Sequence, residues 1–209
     1  MHIFNGIIEE DIEKMLNCLE AKRAQFKKGS TVINYMSNTG ALGIMLRGSA
    51  SLVRYDYDGN RSIIENLVEN SIFCSRFFSE NRAELFVAAT SDCEVLTFDF
   101  DKILKRCGKA CDCHNKLLDN LFKLFSRKIV LQNEKLEVIS KKTIREKLLT
   151  YFRIMQSRAG RDKKFSLPMS LTDLSDYLGI DRSAMMREIR HLNEDGFIMS
   201  KGRKIKVIE

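Results

Sequence analysis

Tryptophan is absent from this sequence, proline occurs once, and histidine occurs only at His2, His114 and His191. The scarcity of histidine excludes the most. A metal-dependent β-roll enzyme needs two or three histidines on inner strands, and none of these three falls in the β-rich part of the chain. No Ser-His-Asp arrangement, phosphate-binding loop or dinucleotide glycine motif is present either, so the chain does not read as an enzyme. Paired carboxylates such as Glu9-Glu10 and Glu194-Asp195 read as solvated helix charges. No apolar run approaches the roughly 18 residues that a membrane helix requires. The N-terminus soon meets Glu9, Glu10 and Asp11, unlike a signal peptide. A cytoplasmic protein with no membrane partner is therefore expected. The six cysteines (Cys18, Cys74, Cys93, Cys107, Cys111 and Cys113) follow no secreted framework and are expected as reduced thiols.

What is present becomes informative once it is located. The net charge is +7, and residues 1–140 contribute nothing to it, with 19 Lys and Arg against 19 Asp and Glu. Residues 141–209 carry 16 against 9, which accounts for the whole excess. A small basic module on a neutral body is the electrostatic footprint of a polyanion binder.

The hydrophobic pattern changes twice along the chain. Ile8 to Leu19 reads as a short amphipathic helix. Between Phe26 and Phe100, short apolar or alternating segments follow at Thr31–Tyr35, Leu42–Leu46, Ala50–Tyr55, Ser62–Leu67, Leu85–Ala89 and Glu94–Phe98. Turn signals at Lys28-Gly29, Arg47-Gly48 and Asp58-Gly59 separate them, which predicts an all-β roll or barrel. From Phe100 to about Lys142 the period becomes helical. One seam runs Leu118, Phe122, Phe125, Ile129, Gln132, Leu136, Ile139, and a second runs Leu117, Leu121, Leu124, Leu131, Val138. A 3.5-residue period over three heptads predicts that one seam meets the chain's own β domain and the other a second subunit. The alternative is one helix with a wide buried face in a monomer. Lys141–Lys147 opens a further amphipathic helix that runs to about Met155 and stops at the polar loop Ser157–Asp162. The expected organisation is α+β: a β-roll over 1–105, a dimerisation helix over 106–140, and a third domain over 141–209.

That third domain holds the most specific signal. Leu171, Leu174 and Leu178 share one face of a short helix, and Gly179 follows where the chain must turn sharply. Asp181 is placed to cap a second helix, from Arg182 to about Asp195, whose Met185, Ile189 and Leu192 pack inward. Two helices and a tight turn predict a helix-turn-helix, whose second helix enters the major groove of DNA. Its outward residues are Arg182, Ser183, Met186, Arg187 and Arg190. Arg182 and Arg187 are assigned to base reading, since arginine to guanine is the commonest specific contact. Ser183 is assigned to a base or a phosphate, and Arg190 to phosphate. Gly196 to Ile208 reads as strand, basic tip and strand. This forms a wing whose Lys201, Arg203 and Lys204 meet the DNA backbone.

These stretches together carry a family likeness over nearly the whole chain. The sequence resembles Crp/Fnr-type regulators at Phe26-Lys27-Lys28-Gly29, Leu46-Arg47-Gly48-Ser49, Tyr57-Asp58-Gly59-Asn60-Arg61, Asp92-Cys93-Glu94-Val95-Leu96, Ile144-Arg145-Glu146-Lys147-Leu148 and Leu174–Ser183. The resemblance implies a cyclic-nucleotide-binding-like jelly roll, a dimer on a near-palindromic operator and DNA-reading arginines at Arg182 and Arg187. Ser183 stands where the family often has glutamate. The sensor departs further. Asn70-Ser71-Ile72-Phe73-Cys74-Ser75 replaces the family's glycines and ribose-binding glutamate, and Arg82 lies one residue from the phosphate-binding position. Cyclic nucleotide is therefore not expected, and no cofactor is.

An effector pocket near this segment would draw on Phe73, Ser75, Arg76, Arg82 and Phe86, with Phe77 and Phe78 nearby; core packing is the plainer role for the phenylalanines. Cys107, Cys111, Cys113 and His114 offer metal or redox chemistry, although C-x3-C-x-C-H is no established zinc spacing. The expected function is a sequence-specific regulator. Its partners would be double-stranded DNA, a second copy, RNA polymerase and a small-molecule effector. The alternatives are a ligand-binding adaptor without DNA, or a metal or redox sensor.

Overall fold

The computed structural model describes residues 3–37, 40–56, 58–77, 85–104, 112–160 and 163–208. The chain divides into two compact units, Met1–Ile129 and Val130–Glu209.

The first unit opens with helix α1 (Glu9–Cys18) and continues through eight strands: β1 (Lys22–Phe26), β2 (Thr31–Asn34), β3 (Ala41–Arg47), β4 (Ala50–Tyr55), β5 (Arg61–Leu67), β6 (Ile72–Cys74), β7 (Leu85–Ala89) and β8 (Cys93–Asp99). They form two antiparallel four-stranded sheets in the orders β1-β8-β3-β6 and β2-β7-β4-β5, a jelly-roll topology. Strand alternation divides the apolar residues between two cores. Met45, Leu52, Leu67, Phe73, Val87 and Val95 fill the roll's interior, while Leu42, Ile44, Leu96 and Phe98 face the helices of this unit.

Two glycines fix how closely the roll packs. A Cβ on Gly48, at φ +77°, would lie 2.2 Å from the carbonyl oxygen of Asp92. A Cβ on Gly43 would lie 2.1 Å from the Phe73 ring. Phe73 is 1% exposed and sits opposite Gly43 in the β3–β6 register. The far end of its ring therefore lies over Gly43, in space that any other residue at position 43 would take.

Helices α2 (Phe100–Leu104) and α3 (Asp112–Ile139) follow. Within the first unit, Leu117, Leu121 and Leu124 of α3 are buried against Leu42, Leu96, Ile103 and their neighbours. Lys128 reinforces this packing. Its Nζ donates to the Ile72 carbonyl at 3.0 Å and pairs with the buried carboxylate of Glu65 on β5. The other predicted seam faces outward. Phe122 is 71% and Ile129 60% exposed, with Leu118 and Phe125 half-buried. Further along the same helix, in the second unit, Leu136 is 58% exposed while Val138 is buried.

The second unit continues with α4 (Ile144–Ala159), β9 (Phe165–Ser166), α5 (Leu171–Leu178), α6 (Arg182–Glu194), β10 (Ile198–Lys201) and β11 (Lys204–Val207). A capping box starts α4. The Glu146 backbone N–H donates to Thr143 Oγ1 at 3.1 Å, and the Thr143 N–H donates back to the Glu146 carboxylate at 3.0 Å. Leu148, Phe152, Leu174, Leu178, Met185, Ile189, Leu192 and Ile205 make up its core. The strands form one antiparallel sheet in the order β10-β11-β9. Among the described residues, no helix is long and apolar enough to cross a membrane.

Candidate nucleic-acid interface

Local chemistry builds the helix pair as expected. Ser170 caps α5, its hydroxyl accepting from the Asp173 N–H at 3.0 Å. Gly179 ends that helix at φ 62°, ψ 47°, the left-handed conformation that glycine adopts without Cβ strain. The Ile180 N–H then donates to the Ser175 carbonyl at 3.0 Å, which closes the turn. Asp181 caps α6 by accepting from the Ala184 N–H at 2.8 Å.

The inward stripe Met185, Ile189 and Leu192 leaves Arg182, Ser183, Met186, Arg187 and Arg190 exposed on the opposite face of α6. Two other arginines of this unit are engaged within the protein. Arg145 donates to Glu188 and to Asp195, each at 2.6 Å, and its guanidinium lies over the Phe197 ring at 5.8 Å. The hydrogen bond to Glu188, then that to Asp195, raises its pKa further above the ordinary arginine value. Arg158 pairs with Glu134 on α3. Among the described residues, no such acid is paired with Arg182, Arg187 or Arg190, and Glu188, the one acid between them in α6, turns to Arg145. The sequence separates these classes poorly, because engagement depends on acids up to 50 residues away.

The wing forms as strand, turn and strand. Lys201 and Lys204 face each other across β10 and β11, with Gly202 at φ 60° and the exposed Arg203 between them. Asn193 ties the recognition helix to this sheet: its Nδ2 donates to Ser200 Oγ, and its Oδ1 accepts from the Ser200 N–H, both at 2.8 Å. The sequence pattern predicts no strand between α4 and α5, where the structure has β9. β9 pairs with β11, so the exposed Lys163 and Lys164 just ahead of it join the basic wing sheet. Their basic run was legible, but a two-residue strand has too little pattern to announce itself.

Of the residues proposed for an effector pocket, the described ones make separate contacts. Phe73 belongs to the roll's interior core. Ser75 is buried, its hydroxyl donating to the Ala41 carbonyl at 3.5 Å. Arg76 makes a two-pronged ion pair with Asp101, the Nη2–Oδ2 arm at 2.9 Å, and sits 5.9 Å from the Phe100 ring centre. Phe86 lies on the outer face of its strand, opposite to the buried Leu85 and Val87, and stacks on Tyr55 at 5.8 Å. Arg82, Phe78 and the Phe77 side chain lie outside the described residues.

Cys107 and Cys111 also lie outside them. Cys113 is half-buried, and the buried His114 donates through Nε2 to the Ile103 carbonyl at 2.9 Å. Among the described residues, no group of three or more His, Cys, Asp or Glu side chains is placed to hold a metal ion.

Residues 146–209 match the Crp-like helix-turn-helix domain, and residues 23–109 match the cyclic nucleotide-binding domain. The chain belongs to the Crp/Fnr family. Its β-roll, long helix and winged helix-turn-helix are the architecture of that family, whose members are transcription regulators. Over 98 residues, 45% of this chain, it is 28% identical to Electron transport regulator A of Shewanella oneidensis, and the match spans 39% of that protein. The chain thus aligns with about two fifths of its curated Crp/Fnr relatives. Among solved structures, FixK2 from Bradyrhizobium japonicum shares 19% identity at a TM-score of 0.67, over 90% of this chain and 93% of that one. A CooA mutant from Carboxydothermus hydrogenoformans shares 14% at 0.74, over 94% and 90%. At these identities the solved structures speak to the fold alone.

Proposed function

We propose that this Crp/Fnr-family chain is a sequence-specific DNA-binding transcriptional regulator, not an enzyme, and that it acts as a homodimer on a palindromic operator. The observation that carries the reading is the exposed face of α6. Arg182, Arg187 and Arg190 project there, with no acid paired to them among the described residues, beside a wing that presents Lys201, Arg203 and Lys204. Desolvating three guanidiniums is worthwhile only against a polyanion, and a recognition helix in the major groove supplies one. Arg182 and Arg187 would read bases, while Arg190, Ser183 and the wing would hold phosphates.

The outward seam of α3 supports the dimer. Phe122, Ile129 and Leu136 recur every seven residues and stand exposed, whereas a solvated helix would carry polar side chains at those positions. Two such subunits would place their recognition helices in successive major grooves, roughly 34–36 Å apart. RNA polymerase would be the further partner of a regulator of this kind.

The signal that the roll receives would be something other than a cyclic nucleotide. Residues 70–75 supply neither the glycine backbone cradle nor the carboxylate for a ribose hydroxyl, Arg76 is committed to Asp101, and the Phe73 ring fills the space over Gly43.

Fluorescence-anisotropy titration of palindromic DNA libraries across a salt series, with and without cyclic nucleotides, tests the reading. Sequence preference with a steep salt slope is expected, unchanged by nucleotide. Absence of DNA binding at every salt concentration would favour a ligand-binding adaptor instead.

A further inference from the structure

Met186 stands outside the hydrophobic core of the second unit's described residues. The apolar stripe of α6 is complete with Met185, Ile189 and Leu192, which are 0–7% exposed, whereas Met186 is 37% exposed. It stands one helical turn after Arg182 and one turn before Arg190, and is adjacent in sequence to Arg187. All three of those neighbours are cations, and Met186 is the one large apolar side chain on this face.

We infer that Met186 is a specificity-determining residue that recognises the 5-methyl group of a thymine in the major groove. The inference rests on the DNA-binding reading above and sharpens it. The major-groove edge of thymine offers one acceptor and one methyl, and the methyl is the only apolar group that any base presents there. A thioether side chain is long, flexible and polarisable, so it can settle against a methyl without demanding one angle of approach. Flanking guanidiniums fixed on guanines or phosphates would hold the helix close enough to expel water from that contact. Arg182 and Arg187 therefore set the register, and Met186 adds a preference that no hydrogen bond supplies.

The experiment uses the full chain. An operator is first selected from a random palindromic library. Deoxyuridine, which lacks only the methyl, then replaces thymine one position at a time, in both half-sites together. Affinities are measured for the native protein and for Met186→Ala. The substitution is at an exposed helical site where alanine is the best helix former, so folding is retained.

At one thymine position the native protein is expected to lose about fourfold in affinity per half-site, the equivalent of one buried methyl at ~0.8 kcal/mol. Met186→Ala should bind the two operators equally, while keeping its discrimination at the guanines read by arginine. A deoxyuridine effect that persists in Met186→Ala, or none at any thymine, overturns the assignment and leaves the DNA-binding reading intact. A library from which no sequence is selected overturns that reading itself, and this inference with it.

Discussion

Arg187 and Lys204 each carry one positive charge, yet replacing them should give different signatures. Arg187 projects from the recognition helix with a planar fork of donors, and Lys204 sits beside the wing turn opposite Lys201. Arg187→Ala is expected to cost about 1–3 kcal/mol on the selected operator and to relax preference at one base pair. Lys204→Ala should weaken binding to every sequence alike and reduce the salt slope by about one. Anisotropy titrations of both variants over a salt series and a set of single-base operator changes separate the two outcomes. At this scale the sequence was legible wherever chemistry is local: the Asp181 cap and the Gly179 turn need only their near neighbours. It was not legible for Gly43, whose constraint comes from a phenylalanine thirty residues away. Nor was it for Phe86, because Leu85-Phe86-Val87-Ala88-Ala89 is apolar throughout and gives no hint of which alternate residues face inward.

Among the elements, α4 and α3 carry separable expectations. Thr143, first through its backbone N–H and then its side chain, holds the Glu146 carboxyl below the ordinary glutamate range. A carboxyl with a depressed folded-state pKa adds stability that is fully present above its unfolded value and disappears as pH falls through the folded one. Glu146→Ala should therefore lower the Tm at neutral pH, with the difference from the native protein shrinking below about pH 4. Thermal unfolding at several pH values checks this, and a difference that stays constant into acid would assign the effect to something other than the ionised cap. On α3, Phe122→Glu places a charge on the exposed seam, away from the buried Leu121 and Leu124. Sedimentation should then show monomer where the proposed dimer is expected of the native protein, with thermal stability of the roll little changed.

Six strands of the roll, the two strands of the wing and both helices of the DNA-reading motif follow from the sequence pattern. β1, β6 and β9 do not: β1 is a polar edge strand that reads Lys-Arg-Ala-Gln-Phe, and the other two span three and two residues. Edge and very short strands take their conformation from a partner strand, so their own residues announce little.

For the whole molecule, the uneven charge is the feature most easily read and most easily tested. The whole excess of positive charge lies on residues 141–209, within the second unit, so the salt dependence of DNA binding should arise chiefly there. Cyclic AMP and cyclic GMP at millimolar concentration should leave both the Tm and the operator affinity of the full chain unchanged. A nucleotide-dependent rise in either, seen by scanning fluorimetry or anisotropy, would mean that residues 70–75 hold the ligand by other means. The ion pair between Lys128 and Glu65 went unread in the sequence, since nothing local relates a strand position to a helix position 63 residues later.

The Phe73 ring lying over Gly43 has a consequence for how the roll can respond to its surroundings. A diffusible occupant of that space would come and go with its concentration, and its effect would fade on dilution. Phe73 is tethered by the chain, so its effective concentration there does not depend on anything in solution. That part of the interior stays filled whatever metabolites surround the protein, and its state is inherited with the sequence, not set by supply.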